Sequence, residues 1–535
     1  MLFRWIKNVF KTPEEGRSQT KKPKHIESME ISLPLKLTSI KEAYEHSPDF
    51  VVRDFSGCGT KSSSLAICYI EGLTDPALLV ELMESVNQFI NTTSPLEDHP
   101  LDVQVKRILP SGNIQILDSV QLVHKAILTG NVVILMDGIQ NVLAVPISGG
   151  ARRSVEEPTS QTVVRGPKEG FTEELTTNIT LVRRKIRSPD LKFQMHNIGE
   201  YTQTSVALAY IQGIAKPEVV AEVTKRLGSI NTDSILESGY IEEFIQDSPL
   251  TPFPTMINTE RPDTVAGSLL DGQVAILVDG TPFALIAPVT FFNFFQTPED
   301  YYQRYDISTF LRAIRMMSFL ISLLLPSTFI ALTTFQQEMI PTTLLVTLAA
   351  QREGVPFPAL LEALLMEVTF EVIREAGVRM PRAIGPAISI VGALVIGQAA
   401  VEAGLVSGAM VIVVSFTAIS NFVIPYFSMA TAVRLMRFPF MLLAGTLGLF
   451  GILAGAVPLL AHLVSLKSLG VDYLMPFSPF YKSNIKDLIL RVPWWAMKTR
   501  PEEKVGLNKT RQAAHQYPSG SNNVIDSVND PDSSK

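Results

Sequence analysis

The stretch AIRMMSFLISLLLPSTFIALTTF, residues 313–335, decides how the chain is read. It is long enough to cross a hydrocarbon core of about 30 Å, which takes roughly 20 apolar residues. Pro326 within it predicts a kink or a break, because proline lacks the backbone N–H its turn would use. Arg304, Arg312 and Arg315 at its start place that end on the cytoplasmic side, where basic flanks accumulate. Outward from this run, residues 307–466 contain Arg and Glu but neither Lys nor Asp. An unpaired ion in hydrocarbon costs from about 3 to more than 10 kcal/mol, so charges kept there have partners or line a water path. Arginine suits buried pairing better than lysine. The region reads as a membrane machine, not a simple anchor.

Further along, Pro341 to Ala350 is too short for an ordinary span and suggests a re-entrant or broken helix ending at Arg352-Glu353-Gly354. In the helical run Phe357 to Gly377, Glu367, Glu371 and Glu375 fall four apart on one face, with Arg374 beside them. Either that face meets an aqueous vestibule, or the helix lies at the interface with the face in water. Ile384 to Ala403 has two faces. Gly385, Ser389, Gly392 and Ala393 form a small-residue stripe for close helix packing. Val391, Val395, Gln398 and Glu402 form the candidate pore face, with the two valines as an apolar constriction. The alternative is that Glu402 marks a helix end at the outer interface. Val406 to Met429 makes another span with Pro425 near its end, Arg434 and Arg437 mark a cytoplasmic return, and Phe438 to Leu466 is one tilted span or a bent hairpin. The number of spans stays open.

The front half carries an internal repeat. LAICYIEG (65–72) aligns with VALAYIQG (206–213) at an offset of 141, and GNVVILMDG (130–138) with GQVAILVDG (272–280) at 142. In each copy an apolar strand leads into a helix (75–90, 216–230), and later two apolar runs flank an Asp-Gly turn as a β-hairpin. The expected fold is an α+β soluble region of two duplicated small α/β subdomains, followed by a polytopic α-helical membrane domain. Its boundaries are an N-terminal tail to 45, subdomains at 46–147 and 186–300 joined by a linker at 148–185, a multi-span domain at 301–467, and a cytoplasmic tail at 468–535 that is disordered after about 505.

Chemistry in the front half is sparse. The run Gly57-Cys58-Gly59-Thr60-Lys61-Ser62 lacks the glycines of a phosphate loop, the histidines have no metal-ligand spacing, and no nucleophile elbow occurs. Glu242 and Glu243 read as a solvated helix face rather than an acid and base. The net charge of -6 and the lack of a basic stripe with aromatics argue against nucleic acid. Cys58 and Cys68, the only cysteines, suggest a reducing compartment, and Met1 to Phe10 lacks a signal-peptide core. The expectation is a protein that is not an enzyme, with no cofactor and no metal.

The blocks EMIPTTLL (338–345), AQREGVPFP (350–358) and EALLMEVTFEVIREAGVRMPRAIGPAISIVGALVIGQAAVEAGLVS (362–407) resemble the A subunit of the GerA family of bacterial spore germinant receptors. The likeness extends more loosely from the repeat near Tyr69 to the PFSPF segment at Pro476 to Phe480. What the resemblance implies is a receptor of the inner spore membrane, with a transporter-like B subunit that binds the nutrient and a lipoprotein C subunit. It further implies an oligomeric ring of A subunits that conducts ions when nutrient is sensed. The alternative roles are a structural adaptor that holds partner subunits without conducting, or an A-subunit paralogue outside nutrient receptors.

Overall fold

The two copies of the repeat fold into two five-stranded sheets of the same strand order. The first contains helix α1 (Leu33–Ala43), strands β1 (Phe50–Phe55) and β2 (Leu65–Ile70), α2 (Pro76–Thr92), β3 (Gln115–Leu117), α3 (Val120–Leu128), β4 (Asn131–Met136) and β5 (Val142–Pro146). The second contains α4 (Leu175–Lys185), β6 (Leu191–Ile198), β7 (Thr204–Ile211), α5 (Pro217–Ser229), α6 (Ser238–Ile245), β8 (Ile257–Thr259), α7 (Pro262–Leu270), β9 (Val274–Val278) and β10 (Ala284–Ala287). The orders are β1-β2-β4-β5-β3 and β6-β7-β9-β10-β8. The computed structural model describes residues 29–55, 65–92, 114–149, 157–158, 161–380, 395, 397–480, 487–488, 490–501, 504–506 and 508–513.

Both faces of the first sheet are covered, which explains why β2 and β4 are apolar without alternation. Ala66, Cys68, Ile70, Val133 and Leu135 face one core with α1 and α3. Leu65, Ile67, Tyr69, Val132 and Ile134 face the other with α2. Burial of Cys68 pushes its thiol up to about 12, so it is packing rather than a nucleophile.

The Asp-Gly turn does more than close a hairpin. Asp137 Oδ1 accepts from the Leu33 amide at 2.9 Å, and Asp279 Oδ1 accepts from the Leu175 amide at 3.0 Å. The next amides, of Gly138 and Gly280, donate to the carbonyls of Ile31 and Glu173 at 3.2 and 2.7 Å. Both glycines have positive φ. Each turn therefore caps the helix that opens its own copy, meeting amides that have no partner within the helix. That moves α1 out of the expected tail and α4 out of the expected linker. Periodicity missed both, because the turn residue that holds each helix lies about a hundred residues beyond it.

The copies are joined by a buried charge. Arg183 of α4 donates Nε and Nη2 to Asp49 at 2.6 and 2.8 Å and Nη1 to the Leu191 carbonyl at 3.0 Å, and it lies over the Phe193 ring. Gly72 sits where a Cβ would meet Thr180 Oγ1 at 2.2 Å, so only glycine admits this approach. The end of the chain also rests on the second copy: Val505 bridges to Ala215, the Gly506 amide donates to the Ile214 carbonyl at 2.8 Å, and Arg511 pairs with Asp271. Val505, Gly506 and Arg511 thus have partners where the tail was expected to be disordered after about 505.

A second unit comprises Gln246–Ile257 and Val289–Arg491. Its helices are α8 (Glu299–Tyr302), α9 (Tyr305–Thr334), α10 (Thr342–Arg352), α11 (Ala359–Arg379), α12 (Gly408–Phe422), α13 (Phe427–Leu447) and α14 (Leu449–Ser465). Two of them, α9 and α13, are long and apolar enough to cross a membrane. The expected segmentation is revised at one place and, between Phe438 and Leu466, falls on the side of a break. A turn containing Pro425 ends the first run before Phe427, and Gly448, at φ 61°, separates α13 from α14. Arg434 and Arg437 therefore lie within a helix rather than in a return loop.

Two outcomes are expected from the first unit. Arg183→Ala strands the buried Asp49 carboxylate and costs about 3–5 kcal/mol, read as a fall in the chemical-denaturation midpoint of the full chain; an unchanged midpoint contradicts this. Glu243 is exposed as expected, whereas Glu242 is half-buried, and burial followed by the nearby Glu237 carboxylate pushes its acid up to about 7. Because the folded state then holds a proton that the unfolded chain has released, stability falls as pH rises from the ordinary carboxylate range to about 7. Glu242→Gln flattens that slope, which unfolding midpoints on either side of the window measure.

Candidate functional site

Helix α9 runs without interruption through Pro326. A proline leaves the carbonyl four residues earlier without its helical N–H, and here that carbonyl belongs to Ser322. Arg437 of α13 supplies the donor. Its Nε donates to Ser322 O at 2.8 Å, Nη2 to Ser322 Oγ at 3.0 Å, and Nη1 to Glu367 Oε2 of α11 at 2.5 Å. One guanidinium clamps three helices, and the Arg437 and Glu367 side chains are 1% and 0% exposed.

The pairing continues as a ladder. Arg434, one turn before Arg437, donates to Glu371, one turn after Glu367, at 2.6 Å. Glu375 pairs instead along its own helix with Arg379 at 2.6 Å. Side-chain exposure rises from 0% at Glu367 through 28% at Glu371 to 65% at Glu375, so the stripe is not one solvated face. Arg374 takes neither carboxylate by hydrogen bond; its guanidinium lies 5.2 Å from the Phe422 ring centre and 5.5 Å from that of Phe427. Such stacking is a recognised environment for arginine.

Two further buried carboxylates fix helix ends. Glu362 Oε1 accepts from the Ser407 amide at 2.6 Å and from the Ser407 hydroxyl, while Ser407 Oγ accepts from the Met410 amide at 3.2 Å. A carboxylate at the start of α12 is stabilised by the unpaired amides and the helix dipole. Asp300 holds both Arg312, at 2.9 Å, and Arg315, at 2.8 Å, and Arg312 also reaches Asp487 at 2.9 Å. Of the basic flank of α9, only Arg304 is largely exposed among these three arginines.

On the candidate pore face, Val395 is exposed, and Gln398 donates to Glu402 at 2.8 Å with both side chains exposed. Val391 and the packing stripe Gly385, Ser389, Gly392 and Ala393 lie outside the described residues. Sequence reasoning assigned Arg434 and Arg437 to a loop and so missed their partners. The available signal was spacing: two arginines three apart match two glutamates four apart, each pair one helical turn. Ser322 became visible as an acceptor only through Pro326.

The Bacillus/Clostridium GerA spore germination protein family matches residues 38–503. The chain belongs to this family. Spore germination protein KA of Bacillus subtilis (strain 168) is 47% identical over 487 residues, covering 91% of this chain and 89% of that protein. Spore germination protein GerLA of Bacillus cereus is 40% identical, covering 87% of this chain and 94% of its own length. The uncharacterized membrane protein YfkQ of Bacillus subtilis (strain 168) is 44% identical over 86% of this chain and 89% of its own. The crystal structure of the N-terminal domain of the A subunit of the Bacillus megaterium spore germinant receptor GerK3 aligns at 41% identity, over 50% of this chain and 98% of that chain, with a TM-score of 0.39.

For this GerA-family chain the ladder sets an energetic order. Arg437→Met leaves Glu367 as an uncompensated buried charge and Ser322 without its donor, a loss of about 3–5 kcal/mol. Arg434→Met, whose partner reaches solvent, costs nearer 1 kcal/mol. Thermal unfolding of the detergent-purified chain measures both, and equal losses would show that the burial gradient does not set the energetics.

Proposed function

We propose that this chain is the A subunit of a nutrient-responsive spore germinant receptor, acting in the membrane as an oligomer that conducts ions once nutrient is sensed. The path runs along Val391, Val395, Gln398 and Glu402. The observation that carries this choice is the contrast between two polar faces. Glu367 and Glu371, with Arg374 and Glu375 the alternative path, are engaged by Arg437 and Arg434. Val395, Gln398 and Glu402 are exposed, and the carboxylate of Glu402 bonds along its own helix. A face of this kind suits a lumen or the surface of another copy. Family membership supports the receptor role, and the length and apolarity of α9 and α13 support insertion. The proposed partners are a transporter-like B subunit that carries the nutrient site and a lipoprotein C subunit, and the proposed location is the inner spore membrane with the α/β copies on the cytoplasmic side.

Potassium release from spores carrying Val395→Ala, Gln398→Leu or Glu402→Gln, before and after a nutrient mixture, tests the assignment. Leak before nutrient from the valine variant, and slowed release from the polar ones by about tenfold, are the expected results. Normal release from all of them, with the protein present in the membrane at wild-type amounts, moves the chain to an adaptor role.

A further inference from the structure

The ladder has one cation more than its carboxylates engage. Arg437 is paired with Glu367 and Arg434 with Glu371, whereas Arg374 continues the row with no carboxylate hydrogen-bonded to it. Arg374 feels the charges of Arg434, Glu371, Arg437 and Glu375. Of the two carboxylates, Glu371 is held by Arg434 and Glu375 by Arg379, each at 2.6 Å. Arg374 Nη1 is shielded from solvent and has no acceptor.

What surrounds this donor is apolar and uncovered. Phe422 and Phe427, the two rings beside the guanidinium, are 63% and 65% exposed, and Val372 and Val378 of Arg374's own helix are 64% and 73% exposed. A buried N–H without an acceptor loses its full hydration free energy, and an aliphatic belt supplies none. Arg374, a cation with no carboxylate hydrogen-bonded to it and set beside exposed apolar surface, is a setting for an anion carried by something that itself covers that surface. A planar guanidinium matches phosphate oxygens in a fork.

We propose that Arg374, with Phe422 and Phe427, forms a binding site for the headgroup phosphate of an anionic phospholipid. The acyl chains lie on the Val372 and Val378 surface, and the net negative charge of the lipid balances the cation that the ladder leaves unmatched. A zwitterionic lipid offers the same phosphate without that net charge, so the site discriminates between the two. The inference rests on the membrane reading above.

Flotation of the full chain with liposomes separates the two ideas. If it floats with neither pure phosphatidylcholine vesicles nor vesicles containing phosphatidylglycerol, the membrane reading and the site both fall. Once it floats, native mass spectrometry of the detergent-purified chain with each lipid tests the site alone. Phosphatidylglycerol is expected to be retained over phosphatidylcholine by about tenfold. Arg374→Gln is expected to abolish that preference, Arg374→Lys to keep part of it, and Arg304→Gln, an exposed arginine elsewhere, to leave it intact. Equal retention of the two lipids by the wild-type chain, or an unchanged preference in Arg374→Gln, overturns the site. So does inorganic phosphate in detergent raising the melting temperature as much as phosphatidylglycerol does, since the ligand is then a free anion. If Arg374→Gln does not fold, the wild-type lipid comparison and Arg374→Lys decide.

Discussion

The helical unit depends on one carbonyl oxygen. Pro326 cannot hydrogen-bond Ser322 O, and an unmet carbonyl in a dry interior costs roughly 1–3 kcal/mol. Arg437 meets it, and bringing a guanidinium there requires a carboxylate, which Glu367 provides. Each polar group is tolerable only because of the next. The proline, the arginine and the glutamate come from three different helices, so their mutual dependence fixes the helices relative to one another in a way apolar packing alone does not. Apolar surfaces slide past each other at little cost, whereas a three-way hydrogen-bonded junction has one register.

The two α/β copies use a different device for the same end. The central strands β2 and β4 of the first sheet are shielded on both faces and almost wholly apolar, so they carry little register information of their own. The Asp137 and Asp279 carboxylates supply it by gripping the helices that open each copy. The grip spans the same sequence separation in both copies, and Arg183, bonded to Asp49, ties the copies together.

Much of this was legible in the chain. The repeat blocks, the hairpins and the apolar runs reflect local periodicity, and they emerged as strands and helices close to the expected places. What was not legible depends on distant partners. Helix α1 is weakly patterned and is held by a turn far along the chain. Arg434 and Arg437 interrupt an apolar run just as a loop would, and nothing local says that Glu371 and Glu367 await them. On the proposed pore face, Val395, Gln398 and Glu402 are exposed, and Val391 lies outside the described residues.

The absence of Lys and Asp between 307 and 466 now has a physical reason at the ladder. Arg437 serves a backbone carbonyl, a hydroxyl and a carboxylate at once, in one plane and from one head group. Lysine has three donors but they radiate from a point, so it cannot bridge a carbonyl on one side and a carboxylate on the other with the same geometry. Aspartate is shorter by a methylene, and packed helix axes stand about 8–10 Å apart. At that spacing the longer glutamate meets the guanidinium while both backbones stay in contact distance. The composition that first marked this region is therefore a geometric requirement of charge pairing across helix interfaces, and it also explains Arg374. The same kind of side chain that bridges two partners at Arg437 stacks on aromatic rings at Arg374, where no carboxylate is hydrogen-bonded to it.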